Sequence, residues 1–308
     1  MDHGLDSEQA RYVLARHLPK VQNASPDAAM AAGTRSARRR KDRLTMKIVV
    51  IGGTGLIGSK VVAKLTEGGH EVIPASPRLG INTITGEGLD AALDGASVVV
   101  DVSNSPSFDY APALEFFGKS TTNLLAAEKV AGVGHHVALS VVGTKELSEA
   151  GDLTTTIAGY FWAKAAQEGL IRASAIPYTI VHATQFFEFL KAIADDATDG
   201  DAIRLPCVRF QPMAADDVAT AVERAAVGVP ANGIVEVGGP EQFEFDMLMR
   251  RFLSGSNDPR VVLSDPSARY FGAVLDERTL VPGDGASLGE IRFDDWLRQS
   301  AAARAVAV

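Results

Sequence analysis

A glycine-rich turn between a short apolar strand and a helix limits what this chain can fold into more than any other feature. Residues 47–51 read KIVVI, a β-branched run typical of a buried parallel strand, and glycines follow it directly. The turn is GGTGLIG at 52–58, with the spacing G-x-x-G-x-x-G, and a helical pattern begins at Leu56. Gly52 and Gly55 allow a tight turn and the close approach of a pyrophosphate to the helix N-terminus. The turn therefore predicts a dinucleotide site; the alternative is that the glycines only connect strand to helix.

Strand and helix patterns alternate from residue 46 onward. Strands are predicted at 47–51, 71–75, 97–102, 135–140, 178–181 and 234–237, and helices at 56–67, 89–93, 109–131, 159–173 and 216–226. This alternation is typical of βαβ units, whose right-handed crossovers make a doubly wound, Rossmann-type α/β fold with a parallel sheet. From residue 186 onward, strand and helix patterns no longer alternate regularly. We therefore expect a small C-terminal substrate cap, contributed mainly by 186–215 and 240–300, at the sheet edge where such folds bind ligands.

Residues 1–45 differ in composition from the rest of the chain. They carry nine Lys or Arg and five Asp or Glu, a formal charge of +4, which leaves 46–308 at −12. Because this segment has little to bury, it is predicted to be a disordered basic extension of a domain spanning 46–308, with one short helix at 7–17. The basic run at 38–41 is interpreted as a solvated charge run, with a phosphate or nucleic-acid patch as the alternative. A start at Met46 would make the segment upstream sequence.

The overall composition excludes several classes of protein. The net charge of −8 argues against an extended nucleic-acid surface, which needs clustered Lys and Arg. A single cysteine, Cys207, forms no internal disulfide and lacks the companions of a zinc site. No apolar run reaches the roughly 20 residues of a membrane span. The composition predicts a cytoplasmic protein whose partner is a small molecule, without nucleic acid, membrane or metal.

The end of the second predicted strand bears on which dinucleotide binds. NAD-binding folds place an Asp or Glu about 20 residues after the glycines, where it holds the ribose 2′-hydroxyl. Here 74–78 read PASPR, without an acid. Ser76 and Arg78 offer a hydroxyl and a guanidinium fork to a 2′-phosphate, unless Arg78 is simply a solvated loop residue. The pattern favours NADP(H) over NAD.

A tyrosine and a lysine four residues apart provide candidate acid–base chemistry. Tyr160 and Lys164 project from one face of a predicted helix. A nearby ammonium favours the phenolate and lowers the tyrosine pKa, which makes the phenol a usable general acid. Ser140, near the end of an earlier strand, is a candidate to hydrogen-bond a substrate carbonyl. The alternative is that Tyr160 is a packing residue.

Together these motifs resemble the short-chain dehydrogenase/reductase superfamily, and more closely its atypical, NmrA-like NAD(P)H-binding branch. The resemblance spans residues 46 to roughly 300. The segments that carry it are GGTGLIG (52–58), DVSNSPSF (101–108), LSVVG (139–143), YFWAK (160–164), VHATQFFEF (181–189) and QPMAADDVA (211–219).

The resemblance implies roles for particular residues. The family's pyrophosphate-binding turn corresponds to Gly52, Thr54, Gly55, Leu56 and Ile57. The end of its fourth strand, which lines the adenosine and ribose, corresponds to Val102, Ser103 and Asn104. Its active-site tyrosine and lysine correspond to Tyr160 and Lys164, the lysine also holding the nicotinamide ribose. The segment after its sixth strand, which closes over the nicotinamide, corresponds to His182, Ala183, Thr184 and Phe186.

The chain departs from the family pattern at two places. It has 140-SVVG-143 where extended members often read Ser-Ser-x-Gly, so the serine position is ambiguous by one residue. It has His182-Ala183 where Arg-Pro is usual, so His182 either donates to a ligand or is a buried structural histidine. The first hypothesis is an NADPH-dependent oxidoreductase with Tyr160, Lys164 and Ser140 as catalytic residues, acting on a carbonyl, quinone or similar acceptor. The alternative is a non-catalytic NAD(P)H sensor whose ligand alters a surface that a protein partner binds, with an epimerase as a weaker third.

Two further clusters receive simple interpretations. The first cluster consists of Phe186, Phe187, Phe189, Phe210 and Met213. It either forms an apolar wall that binds a flat aromatic or quinone-like substrate or belongs to ordinary core packing. The second is an acidic run interpreted as a solvated loop, because it lacks calcium-ligand spacing, and consists of Asp195, Asp196, Asp199 and Asp201.

Overall fold

A seven-stranded parallel sheet forms the centre of the molecule. The structure, a computed structural model, describes residues 45–149 and 156–306. The strands of the sheet are β1 (Lys47–Ile51), β2 (Glu71–Ala75), β3 (Val98–Asp101), β4 (His135–Val141), β5 (Tyr178–Ala183), β9 (Gly233–Gly238) and β12 (Ser287–Leu288). They have the order β2-β1-β3-β4-β5-β9-β12, and each adjacent pair is parallel. The doubly wound, Rossmann-type fold expected from the alternation is confirmed.

Helices cover both faces of this sheet. In chain order they are α1 (Leu56–Glu67), α2 (Leu89–Leu93), α3 (Tyr110–Ala131), α4 (Thr144–Glu149), α5 (Thr156–Ala173), α6 (Leu190–Asp196), α7 (Ala215–Val227), α8 (Phe245–Ser256) and α9 (Phe293–Val306). The apolar stripes of α1 and α7 pack with β1, β3, β4 and β5 on one face. Helices α3 and α5 pack together, with α2 beside α3, on the opposite face. Between the two layers, β1 and β3 are almost fully buried, which explains their nearly continuous β-branched runs.

The C-terminal third adds a smaller subdomain at one end of the sheet. A three-stranded sheet joins β6 (Thr198–Asp199), β7 (Ala202–Leu205) and β11 (Val261–Ser264), and a two-stranded sheet joins β8 (Arg209–Phe210) and β10 (Phe243–Glu244). Their core is rich in aromatic rings; Phe210 and Phe245 lie 4.3 Å apart between ring centroids. This subdomain corresponds to the expected cap.

The segment between β2 and β3 contains no strand, which changes the numbering of the strands that follow it relative to the family pattern. Residues 76–88 form a short 3₁₀ turn (Pro77–Leu79) and further turns, with positive φ angles at Gly80, Gly86 and Gly88. No strand forms there, because proline and left-handed glycines interrupt an extended run. Residues 102–104, which the resemblance placed at the end of a fourth strand, therefore follow the third strand of this sheet, and the segment 182–186, placed after a sixth strand, begins with the last two residues of the fifth.

Two sequence predictions lie outside the described residues. They are the basic extension, apart from its last residue Thr45, and the short helix at 7–17, so the domain boundary at 45/46 stays a prediction. Within the described residues, no helix is both long and apolar enough to cross a bilayer.

Candidate active site

The glycine turn is shaped by contacts that leave no room for side chains. Gly52 has φ +76°, and a Cβ on it would lie 2.9 Å from the Ser103 Cα. A Cβ on Gly58 would lie only 2.1 Å from the Gly52 carbonyl oxygen. Helix α1 therefore begins directly against the end of β1, with the backbone N–H groups of its first turn outside the helical hydrogen-bond ladder. Such a helix N-terminus is a ready anion site.

A cavity of about 850 Å³ runs along the carboxyl ends of β1 to β5 and under the cap. It brings together nearly all the residues singled out from the sequence. The predicted residues that line it are Gly52, Thr54, Gly55, Leu56, Ile57, Ser76, Val102, Ser103, Asn104, Ser140, Tyr160, Lys164, Ala183, Thr184 and Phe186. Arg78 does not line it but sits exposed on the 3₁₀ turn beside Ser76 and Pro77, which do.

Buried polar atoms without partners test whether a dinucleotide fits this cavity. Among the described residues, no hydrogen-bond partner is found for the Ser76 hydroxyl at the β2 end or for the Thr184 hydroxyl after β5. Both polar atoms of the Gln185 amide are also unpartnered. Leaving buried polar groups unpaired costs about 1–3 kcal/mol each, so their clustering along one cavity favours a polar ligand. Ribose, phosphate and carboxamide groups would supply the missing partners, and the site fits NAD(P).

Tyr160 lies on α5 with its ring packed among aromatic side chains. Its hydroxyl donates to Asn104 Oδ1 at 2.9 Å, and its ring centroid is 5.0 Å from that of Phe108. Burial raises the pKa of the Tyr160 phenol above its ordinary value. The expectation of a lowered Tyr160 pKa is therefore wrong, because desolvation of the buried hydroxyl disfavours the charged phenolate.

Lys164, one turn further along α5, is buried, and its ammonium makes two hydrogen bonds within the protein. Its Nζ donates to the Leu139 carbonyl oxygen at 2.8 Å and to Gln167 Oε1 at 2.6 Å, and lies 4.6 Å from the centre of the Phe117 ring. Burial lowers the pKa of Lys164 to about 8, although the negative charges of Asp101 and Glu168 act in the opposite direction. The ammonium is thus close to its titration point at physiological pH.

Asp101, at the end of β3, is connected by hydrogen bonds through other residues to both Lys164 and Tyr160. Gln167 Nε2 donates to Asp101 Oδ2 at 3.1 Å, which connects the carboxylate to Lys164. The Ser103 hydroxyl and backbone N–H donate to Asp101 Oδ1 at 2.6 and 3.0 Å. These bonds hold the turn that presents Asn104 to Tyr160. Only 1% of Asp101 is exposed, so solvent does not compete for its oxygens.

Ser140 and His182 share a second buried carboxylate, that of Glu168. The Ser140 hydroxyl donates to Glu168 Oε1 at 2.5 Å, and His182 Nε2 lies 2.8 Å from the same oxygen. Arg172 reaches Glu168 Oε2 at 2.6 Å. Burial alone would raise the pKa of Glu168, but the bonds from His182 and Ser140 outweigh it and hold the pKa below its ordinary value. Of the two options for His182, the structure favours the buried structural histidine, and the catalytic role of Ser140 stays a prediction.

The aromatic cluster divides between cavity and core. Phe186 and Phe189 line the cavity with ring centroids 5.6 Å apart, whereas Phe187, Phe210 and Met213 are buried in packing cores. The acidic run also divides. All four acidic residues are exposed, as expected of a solvated run, but Asp195 and Asp196 lie at the end of α6 rather than in a loop, and Asp196 also lines the cavity.

The fold is of the Rossmann type, and one segment of it is similar to a family of dinucleotide-binding proteins. Residues 81–191 match a domain family described as NAD(P)H-binding, and this segment includes Tyr160 and Lys164. The match runs from the connection after β2 into α6 and does not include the glycine turn at 52–58. No curated protein sequence matches the chain significantly.

Solved structures similar to this chain carry the fold of short-chain dehydrogenases/reductases. One is a short-chain dehydrogenase/reductase superfamily protein from Agrobacterium tumefaciens with bound NAD (19% identity, 85% of this chain and 98% of that chain covered, TM-score 0.64). Another is GDP-mannoheptose C4 reductase from Campylobacter jejuni with NADP bound (12% identity, 84% of this chain and 98% of that chain covered, TM-score 0.62). A third is UDP-glucose 4-epimerase from Thermus thermophilus with NAD (17% identity, 85% of this chain and 100% of that chain covered, TM-score 0.61). At these identities the likeness concerns the fold.

Sequence reasoning did not find four residues that the structure brings to the site: Asp101, Gln167, Gln185 and Asp196. Asp101 ends an apolar strand, and an acid at that position was a usable clue. Gln167 lies three residues after Lys164 on the same helical face, and this spacing was a second usable clue. Nothing local distinguishes Gln185 or Asp196 from ordinary polar residues.

Proposed function

We propose that this protein is an NADPH-dependent reductase that acts on a carbonyl, quinone or similar small acceptor. The observation that carries the proposal is the placement of the Tyr160 hydroxyl and the Lys164 ammonium in the same cavity as the glycine turn. A proton donor beside a dinucleotide cleft is the arrangement that hydride transfer to a carbonyl requires.

The dinucleotide, when bound, supplies the hydride that reduces the electrophilic carbon of the acceptor. The glycine turn and the N-terminus of α1 would hold its pyrophosphate, and residues 102–104 would line the adenosine. Lys164 would hold the nicotinamide ribose. Residues Ala183, Thr184 and Phe186 would enclose the nicotinamide.

Tyr160 would donate its phenolic proton to the acceptor oxygen, so that a carbonyl becomes an alcohol and solvent later returns the proton. In the ligand-free chain this proton is directed to Asn104 Oδ1, so the acceptor oxygen would replace that amide as the hydrogen-bond partner. The raised pKa of Tyr160 keeps the phenol protonated until transfer. The Lys164 ammonium would then stabilise the phenolate that forms. Ser140 would position the acceptor only after its hydroxyl turns from Glu168.

We assign a preference for NADPH over NADH to Ser76 and Arg78. Ser76 offers an unpartnered buried hydroxyl at the end of β2, and no acid stands beside it. Among the described residues, Arg78 makes no ion pair and is exposed next to the cavity wall. A 2′-phosphate would pair with this guanidinium.

The alternative is an NAD(P)H sensor that binds a protein partner and performs no turnover. The observation in its favour is the Ser140 hydroxyl, which is committed to Glu168 rather than free in the cavity. In that case the cavity serves only to bind the dinucleotide.

The decisive experiment is NADPH oxidation by the full-length protein with 9,10-phenanthrenequinone, comparing the wild type with Tyr160→Phe. A reductase should lose about 10²- to 10⁴-fold in kcat on this substitution, while the dissociation constant for NADPH stays within about twofold. Tyr178→Phe is a matched control on the opposite end of the sheet. Tight NADPH binding without oxidation by either protein would contradict the reductase and support the sensor.

A further inference from the structure

The part of the cavity beyond the nicotinamide segment has a distinct chemical character. We call it the acceptor half, and define it by Phe186, Phe189, Ile193, Asp196, Tyr270 and Phe271. Five of these six side chains are aromatic or aliphatic. Asp196 is the only one with a formal charge.

The charges around the whole cavity are few. Among the residues that line it, only Lys164 and Asp196 carry a formal charge at neutral pH. The Lys164 ammonium is buried, with hydrogen bonds to Leu139 and Gln167. No arginine or histidine is found among these lining residues, so no cationic side chain is available to pair with the phosphates of a second, nucleotide-linked ligand.

Asp196 has no cationic partner within the described part of the chain, although cations lie close by. The neighbouring Asp195 pairs with Lys191 at 2.6 Å and with Arg260 at 3.0 Å. Partial burial raises the pKa of the exposed Asp196 carboxyl, and the nearby backbone N–H of Phe271 acts in the opposite direction. The carboxylate therefore keeps most of its hydrogen-bonding capacity for a ligand.

The turn at Phe271 lines the same part of the cavity as this carboxylate. Tyr270 and Ala273 exchange two backbone hydrogen bonds of 2.9 Å, and the two residues between them have φ angles of +47° (Phe271) and +88° (Gly272). A bulky residue with positive φ is strained, and such strain concentrates at ligand sites. The Tyr270 and Phe271 rings meet edge to face, 4.9 Å apart. Phe271 also packs against the core cluster that contains Tyr160, so the turn spans the distance between Asp196 and the proton donor.

We propose that Asp196 determines specificity by binding a cationic group, such as a protonated or quaternary amine, carried by an apolar or aromatic acceptor. The carboxylate pairs with the cation, and the faces of the surrounding rings attract it as well. The same charge repels anionic acceptors, which include the nucleoside-diphosphate sugars named for similarly folded proteins. This inference rests on the proposed reductase for its turnover assay but not for its binding assay.

Three benzaldehydes that differ in one para substituent test the proposal. They are 4-(trimethylammonio)benzaldehyde, its neutral isostere 4-tert-butylbenzaldehyde and the anionic 4-sulfobenzaldehyde. In each, the carbonyl carbon gains a hydride from NADPH and the oxygen gains a proton, so that the alcohol and NADP⁺ form. We expect kcat/KM for the cation to exceed that for the neutral isostere by about tenfold, with the anion the poorest.

Asp196→Asn separates the charge of the side chain from its structural contact. The Asn side chain keeps an acceptor oxygen near the Phe271 N–H, so the turn is retained. The substitution should remove the preference for the cation, so that kcat/KM for the cationic aldehyde falls about tenfold relative to that for the neutral isostere. Asp195→Asn is the matched control, because it removes an adjacent charge outside the cavity wall and should leave the order of the three aldehydes unchanged. An unchanged preference in Asp196→Asn, or a preference for the neutral aldehyde in the wild type, would overturn the proposal.

Calorimetric binding to the full-length protein saturated with NADP⁺ distinguishes this proposal from the reductase itself. No hydride is available there, so affinity is measured without turnover. Binding of the cation that depends on Asp196, with no reduction of any aldehyde, would support the specificity and contradict the reductase. Reduction without any dependence on charge would support the reductase and contradict the role of Asp196. An absence of both binding and reduction would contradict both.

Discussion

A single amide joins the carboxylate of Asp101 to the ammonium of Lys164. Gln167 Nε2 donates to Asp101 Oδ2 at 3.1 Å, and Gln167 Oε1 accepts from Lys164 Nζ at 2.6 Å. The amide nitrogen thus faces the carboxylate and the amide oxygen faces the ammonium, so the orientation of the Gln167 side chain is fixed. Since Asp101 also holds the turn that presents Asn104 to Tyr160, one buried carboxylate positions both members of the proposed catalytic pair.

The first prediction concerns Asp101→Asn. The Asp101 charge raises the pKa of Lys164 against the larger lowering by burial, which together place it at about 8. Removing the charge should lower that pKa further, so the ammonium is lost at lower pH. The alkaline limb of kcat/KM for NADPH should fall with a midpoint near pH 8 in the wild type and about one pH unit lower in the variant.

A purely structural role for Asp101 would lower stability without moving this limb. Asp90→Asn, on the exposed side of α2, is the control and should keep the wild-type profile. A profile that does not move in Asp101→Asn would show that the carboxylate does not act on Lys164.

The second prediction uses the unpartnered hydroxyl of Thr184. Thr184→Val removes a buried polar group without a partner, so the ligand-free protein should unfold with an unchanged or slightly higher free energy. If the dinucleotide supplies the missing partner, the same change should weaken NADPH binding by about tenfold.

Thr121→Val provides the matched comparison for this prediction. Its hydroxyl on α3 is equally buried and unpartnered, but it does not line the cavity. It should match Thr184→Val in thermal denaturation and match the wild type in NADPH titration. Equal affinities in all three proteins would remove Thr184 from the cofactor site.

The third prediction concerns Arg78→Ala. Loss of the guanidinium should weaken NADPH binding by about tenfold and leave NADH binding within about twofold, because only NADPH carries a 2′-phosphate. Fluorescence titration with both dinucleotides measures this ratio, with the exposed Arg224→Ala as control. Equal losses for the two dinucleotides would contradict a 2′-phosphate contact.

The fourth prediction concerns the close approach of α1 to the turn. A Cβ at Gly58 would lie 2.1 Å from the Gly52 carbonyl oxygen, so Gly58→Ala must displace backbone. We expect a loss of about 3 kcal/mol in the free energy of unfolding and weaker dinucleotide binding. Gly118→Ala, in the middle of α3 with open space around it, should instead stabilise by about 1 kcal/mol. Chemical denaturation of the two variants compares them directly.

Local sequence patterns determined a large part of the architecture. The β-branched run at 47–51, the glycine spacing at 52–58 and the four-residue interval from Tyr160 to Lys164 each act within one or two turns of backbone. Such patterns specify which elements form and which face a side chain lies on. For the strands and helices predicted within the described residues, the bounds accordingly differ from the observed ones by at most three residues.

Tertiary structure alone decided which distant side chains meet at the site. The bond between Gln167 and Asp101 joins residues 66 positions apart, and Asp196 reaches the cavity wall together with Phe271 of a later loop. These contacts depend on strand register, helix packing and the desolvation that follows from both. Desolvation also reversed the expected pKa shift of Tyr160. Periodicity along the chain carries no information about the dielectric around a side chain, because that is set by residues from every layer of the fold.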